Sequence, residues 1–289
     1  MEQASLAQAT VKGHLTRFLA WYNLAGSFAT ALGALVSGSV AQLLHSSGMP
    51  LTASYRVLIV AYAGLGAVLA LIAACLSSAV EAAIPGDPGT TLKARFGLHQ
   101  SRGIVLKLSS LFVMDAFAGG LVVQSLVAYW FHLRFGLEPG LIGIITFGAN
   151  ILAGISALAA VRIAKRFGLV NTMVFTHLPS NILLILVPLM PTLPLTLLVF
   201  LLRFSISQMD VPTRQAYLMA VVTPGERSAA GGVANMARTI GSSASPILAG
   251  VLLGSTSMLG GIFILSGSLK ILYDLLLLRG FYSVRVDDV

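Results

Sequence analysis

Eight stretches of this sequence are long and apolar enough to cross a lipid bilayer, and no other feature constrains its fold as strongly. A span needs about 20 mainly apolar residues, because a helix rises about 1.5 Å per residue across a hydrocarbon core of about 30 Å. The qualifying runs cover 18–44, 57–80, 108–131, 141–161, 169–190, 193–222, 229–253 and 259–278. Inside hydrocarbon every backbone N–H and C=O must find a partner within the segment, so runs of this length are helices. Only 10% of the residues are charged, too few to build the water-facing surface of a soluble protein. The expected fold class is therefore all-α, a polytopic membrane protein of about eight transmembrane helices. The first run is too long for the apolar core of a signal peptide and carries no small-residue cleavage pattern.

The positive charges give this map an orientation. A net charge of +8 would point to nucleic acid in a soluble chain, but membrane proteins gather Lys and Arg in their cytoplasmic loops. Thirteen of the 18 Lys and Arg fall on one side of the predicted spans, and only Arg56 and Arg134 on the other. Both termini are thus expected in the cytoplasm, with the chain in a plasma membrane or a bacterial inner membrane, and no nucleic-acid partner is implied. The longest connection is cytoplasmic on the same reading and holds Pro85-Gly86-Asp87-Pro88-Gly89, a breaker cluster typical of a linker. It divides the chain into residues 1–80, a cytoplasmic linker at 81–103, and residues 104–289 with six helices. The single cysteine, Cys75, allows no intrachain disulfide and no cysteine-based metal site.

Two spans look like versions of one helix. The first reads Gly26-Ser27-Phe28-Ala29, followed by Gly33, Ser37 and Gly38; the seventh reads Gly241-Ser242-Ser243-Ala244, followed by Pro246, Ala249 and Gly250. Small residues at such spacing let helix backbones approach closely, which accounts for the likeness by packing alone. A parallel repeat of six helices accounts for it as well, and then spans one and two are counterparts of spans seven and eight.

The order of spans, the linker after the second, the loop Arg162-Ile163-Ala164-Lys165-Arg166-Phe167-Gly168, and the run from Asp210-Val211-Pro212-Thr213-Arg214 to Thr223-Pro224-Gly225-Glu226-Arg227 resemble the major facilitator superfamily. The likeness runs from about Leu15 to Phe281 and corresponds to helices five to twelve of a twelve-helix member. It implies a partial fold of that family with a complete C-terminal six-helix bundle, working as a secondary transporter. Arg166 and Gly168 match the end of the family's basic loop motif, whose acidic residue has no counterpart in Val161-Arg162-Ile163-Ala164. The Gly-Pro pair of the drug-proton antiporters is replaced by Gly33-Ala34, which does not support that subclass.

A charge at the bilayer centre costs on the order of 2.5 to 3.5 kcal/mol even on the lenient insertion scale, so intramembrane charges are functional candidates by default. Three acids, Asp115, Asp210 and Asp274, accompany three bases, Arg203, Arg238 and Lys270, with Arg214 nearer the inner surface. Lys270 and Asp274 stand four apart on one helix face and are expected to satisfy one another. Arg203 and Asp210, seven apart, point into one space, and Asp115 sits mid-span beside Gly119 and Gly120. The resemblance places these two spans at helices seven and ten, which line the family's central cavity. Asp115, Arg203 and Asp210, with Gln124, Asn150 and Arg238, are therefore the candidates for contact with substrate or proton. A static buried ion pair is the competing reading for the charges, and an interhelical hydrogen bond for the amides. At the inner face Arg162, Lys165, Arg166, Arg214, Glu226 and Arg227 are the gate candidates. His177 and Pro179 in the fifth span read as a kink, with a proton relay as the lesser alternative.

Enzyme signatures are absent. His14, His45, His99, His132 and His177 form no His-x-x-x-His pair, there is no Walker loop, and no two carboxylates share a helix face. The expected function is secondary transport of a small solute by alternating access, without a cofactor and with proton coupling permitted by the intramembrane acids. The alternative is a shortened, non-transporting membrane fragment or an interaction partner.

Overall fold

The computed structural model describes residues 15–75, 98–254 and 259–281. Residues 76–97, which hold most of the expected linker, lie outside the described residues, as do Lys12, Lys93, Arg95 and Arg285 of the charge map. Ten α-helices run in order: α1 (Leu15–Ser46), α2 (Leu51–Ala74), α3 (Arg102–Leu121), α4 (Gln124–Phe135), α5 (Pro139–Phe167), α6 (Leu169–Leu186), α7 (Leu193–Ser207), α8 (Asp210–Ala220), α9 (Arg227–Leu253) and α10 (Gly261–Phe281). They make eight spans among the described residues, because α3 with α4 and α7 with α8 each form one interrupted crossing. The fold is all-helical and polytopic, as the apolar runs require.

The helix ends follow local chemistry. Pro139 occupies the first turn of α5, where its missing N–H costs nothing. At the end of α4, Gly136 adopts φ 65° and donates to the His132 carbonyl at 2.8 Å, a left-handed cap that residues with a Cβ avoid. Pro179 lies inside α6 without ending it. The two interrupted crossings were not expected from hydropathy. Val122 and Val123 leave helical geometry between α3 and α4, and Gln208 does so at the end of α7. This corrects the expectation that Arg203 and Asp210 share a face by spacing, since the helical register between them is broken.

Packing is dominated by α1 on α5, α9 on α3, and α10 against both α6 and α3. Glycines permit the closest approaches. A methyl group at Gly143 would lie 2.9 Å from the Ala34 carbonyl oxygen, and one at Gly38 2.7 Å from that of Pro139. On the other pair, a methyl at Gly241 would overlap the Val113 carbonyl and lie 3.2 Å from the Phe117 nitrogen. The two look-alike helices thus each dock tightly on one neighbour, but their motifs are not used alike: Gly241 is at a close approach, whereas Gly26 has nothing near it.

Two apolar clusters fill the interior. One, at the Arg102 end of α3, includes Leu108, Phe112, Tyr217, Tyr273 and Phe281; the other, around α4, includes Trp130, Phe131, Phe200, Ile262 and Phe263. Asp115 lies on α3 between Phe112 of the first and Leu121 of the second. Helix α2 packs chiefly on α1 and presents Ile59, Val60, Tyr62, Leu65 and Leu69 outward, an apolar surface suited to lipid.

Candidate functional site

The apolar plugs enclose a charged layer, because four helices each send one side chain or more to the same depth. Lys270 Nζ of α10 donates to Asp115 Oδ1 at 2.6 Å, while Arg214 Nη1 of α8 and Arg238 Nη1 of α9 donate to Oδ2 at 2.8 and 3.1 Å. Arg214 also donates to Asp210 Oδ2 at 3.0 Å. Asp115, Asp210, Arg214 and Lys270 are all buried, and only the Arg238 side chain keeps substantial exposure. One carboxylate therefore ties together three cations from three other helices. Removing two charges from water costs several kcal/mol per ion, and attraction compensates only where the geometry is good and the remaining polar atoms are paired. Here the donors share the carboxylate's two oxygens.

Three expectations are corrected by this arrangement. Lys270 does not pair with Asp274 four residues on: Lys270 turns to α3, and Asp274 turns to α6. Arg214 is no inner-surface residue but a member of the buried layer, because α8 restarts at Asp210 and sets Asp210 and Arg214 one turn apart. Arg203, a candidate neighbour of Asp115, forms no ion pair; its guanidinium stacks 5.0 Å from the Phe204 ring and its Nε is buried without a hydrogen-bond partner.

A second buried polar cluster escaped the sequence reading. His177 Nδ1 lies 2.8 Å from Asp274 Oδ1, and Asn181 Nδ2 donates to Oδ2 at 2.9 Å. Asp274 is 0% exposed, so its carboxyl oxygens meet these two groups and not water. The available signal was the four-residue spacing of His177 and Asn181 on one helix face, which the adjacent proline obscured.

Between the interrupted crossings lies a cavity of about 300 Å³. Arg203, Lys270, Gln124, Asn150 and Gln208 line it together with small and aliphatic residues and the four rings of Phe131, Phe200, Phe204 and Phe263. Gln124 and Asn150 both line this cavity, and Asn150 Nδ2 also donates to the Thr146 carbonyl one turn back. A larger apolar cavity of about 780 Å³ adjoins it between α1, α2, α4 and α5, sharing Gln124, Ala128, Ile142 and Thr146.

The inner-face candidates separate. The Glu226 carboxylate accepts the backbone N–H groups of His99, Gln100 and Ser101, and so anchors the turn that leads into α3 to another part of the chain. Ser101 accepts in return from the Thr223 N–H at 3.3 Å. Arg227 Nε donates to the Met219 carbonyl, and Arg166 lies over the Phe167 ring. No ion pair joins Arg162, Lys165 or Arg166 to Glu226 among the described residues; the Glu226 carboxylate is held instead by the backbone ahead of α3. The physical reason is that three successive backbone N–H groups converging on one carboxylate make charge-assisted hydrogen bonds, which compete well with exposed side-chain cations.

Those N–H groups, His99 first, hold the Glu226 pKa down from the ordinary 4.5 to about 2. A carboxyl with a lower pKa in the folded state stabilises it fully above the unfolded value, and the contribution fades as pH falls through the folded one. Glu226→Gln is expected to lower Tm at neutral pH and to remove this share of the acid sensitivity between 4.5 and about 2. Equal acid profiles for the parent and Glu226→Gln in thermal melts would contradict this anchoring role.

Among curated proteins the chain is similar to the uncharacterized membrane protein YJR124C of Saccharomyces cerevisiae, with 27% identity over 98% of this chain and 69% of that protein. No family model matches the chain, and no solved structure matches it. With eight helices long and apolar enough to cross a membrane, and a membrane protein as its relative, the chain is a multi-pass membrane protein.

Proposed function

We propose that this protein is a secondary transporter that moves a small solute by alternating access, a partial bundle of the type that its sequence resembles in the major facilitator superfamily. The observation that carries the reading is the Asp115 layer at mid-span, beside a cavity flanked by two interrupted helices. Interrupted helices at the midplane are a recurring device for substrate and ion sites, because the broken turns free backbone groups where a ligand can use them. Charges at that depth are costly, and a carboxylate held by cations on three separate helices changes its protonation when those helices move apart. Asp115 is accordingly the coupling acid, with Arg238 and Lys270 as the cations that α9 and α10 carry toward it or away. Both termini lie in the cytoplasm on the charge bias, and the protein performs no covalent chemistry.

The test is reconstitution of the chain in proteoliposomes under an imposed proton gradient. Uptake of a mixture of small carboxylates, amines and sugars is followed by mass spectrometry. At least one solute is expected to accumulate above protein-free vesicles and to stop accumulating when the gradient is collapsed. Absence of any protein-dependent flux from folded, reconstituted chain would overturn the reading. A second reading is favoured by α2, which packs chiefly on α1 and so leaves the first bundle with two helices among the described residues. On that reading the chain is a non-transporting membrane fragment or an interaction partner, and folded protein without flux supports it.

A further inference from the structure

Charge along the cavity wall identifies a class of ligand. The spans hold three buried acids, Asp115, Asp210 and Asp274, and four cations away from the helix ends, Arg203, Arg214, Arg238 and Lys270. Among these seven groups the cations outnumber the acids by one. Arg214, Arg238 and Lys270 share the carboxylates of Asp115 and Asp210 within 3.1 Å, so that layer is itself positive, and Arg203, which has no ion pair among the described residues, adds a further cation. Its nearest acid influence is Asp210, whose own carboxylate is bonded to Arg214. An unpaired guanidinium next to apolar walls is expensive, so its presence calls for a partner that the chain does not supply.

The cavity beside it fits that requirement. Among the described residues its wall carries Arg203 and Lys270 but no Asp or Glu, and neither does the wall of the adjoining larger cavity. A cationic solute would meet uncompensated repulsion there, and a neutral one would leave the guanidinium unpaired. An anion relieves both, and a carboxylate matches the planar fork of arginine with two parallel hydrogen bonds. The four phenylalanines around it ask for an apolar body on the same molecule, and Gln124 and Gln208 offer amide groups beside the head.

We infer that the cavity between the interrupted helices binds a small organic carboxylate, with Arg203 as its anchoring residue and the phenylalanine cluster around its apolar part. The inference rests on the transport reading only for its physiological meaning, since binding is measurable without flux. An Arg203 that anchors a ligand is a charge left unpaired in the empty protein, so its removal stabilises the empty state. An Arg203 that serves the fold by attraction to Asp210 gives the opposite sign.

The experiment follows thermal unfolding of the purified chain in lipid nanodiscs. Three carboxylates, benzoate, hexanoate and lactate, are compared with benzyl alcohol and benzylammonium, which keep the ring of benzoate and change the head charge. At least one carboxylate, benzoate or hexanoate foremost, is expected to raise Tm saturably, and the alcohol and the ammonium to leave it unchanged. Arg203→Gln is expected to raise the Tm of the empty protein and to weaken carboxylate binding about tenfold or more, the loss of one charged hydrogen-bonded contact. Arg203→Lys keeps the charge without the fork and is expected to bind with intermediate affinity. The inference is overturned if no carboxylate binds, if benzylammonium or benzyl alcohol binds as well as benzoate, or if Arg203→Gln lowers the empty Tm or binds carboxylate as the parent does. Carboxylate binding without flux of any solute would strike the transport reading alone, and flux confined to cations or sugars would strike this inference alone.

Discussion

Asp115→Leu is expected to leave little or no folded protein, the largest effect of any single substitution in this chain. The change removes the acceptor of three cations, Lys270, Arg214 and Arg238, that approach it at 2.6, 2.8 and 3.1 Å. Stripping one partner from a buried pair typically costs about 3 to 5 kcal/mol, and Asp210 remains to hold only Arg214. That is a large part of the roughly 5 to 15 kcal/mol by which ordinary domains are stable. Like-charge repulsion among the three cations adds to the loss. Asp115→Asn should be destabilising for the same reason, more mildly, because the amide oxygen still accepts one donor. Pairing it with Lys270→Gln deletes one charge of each sign and is expected to restore most of the folded yield in size-exclusion chromatography. The restored double variant also reads the coupling role: loss of proton-driven accumulation with exchange retained supports it, and unchanged uphill transport refutes it. If Asp115→Leu alone gives protein of parental yield and Tm, the ion layer contributes nothing to the fold.

Gly241→Ala is the second large effect, and it acts through the backbone. The added methyl meets the carbonyl of Val113 and the nitrogen of Phe117, both main-chain atoms of α3, so no rotamer change relieves the overlap. The helices must separate. Overpacking of this kind costs about 1 to 3 kcal/mol. The upper end is expected here, because Arg238 stands one turn from Gly241 on α9 and its 3.1 Å bond to Asp115 crosses the same interface. Gly26→Ala in the look-alike motif of α1 is the control: its methyl meets nothing within 4 Å, and alanine is the better helix former. Thermal melts of the two variants should differ clearly. If Gly241→Ala melts no lower than Gly26→Ala, the contact of α9 with α3 is looser than described.

Much of the architecture was legible in the residues. Eight apolar runs gave eight spans, since hydrocarbon leaves a chain few ways to satisfy its backbone and helix length is set by bilayer thickness. The expensive intramembrane charges were equally visible, and Asp115, Arg238, Gln124 and Asn150 sit in or beside the central site. Pairings were another matter. Spacing suggested Lys270 with Asp274, because it reports only which residues share a helix face, and both partners instead reached to different helices. Arg203 and Asp210 lost their common register at Gln208, a break that hydropathy does not register. Glu226 left the basic loop residues for three backbone N–H groups more than a hundred positions away.

The sequence by itself determined that this chain spans a membrane, how many times, and which of its side chains pay the cost of charge inside it, because solvent exclusion acts on each segment alone. Only the tertiary structure decided which charges neutralise one another and which one is left over. That outcome depends on distances of a few ångströms between helices far apart in the chain, and Coulomb attraction in a medium of low polarity turns those distances into large energies. Arg203, one cation among several in the sequence, becomes distinctive once the other three gather on Asp115 and Asp210 and leave it without an ion pair among the described residues.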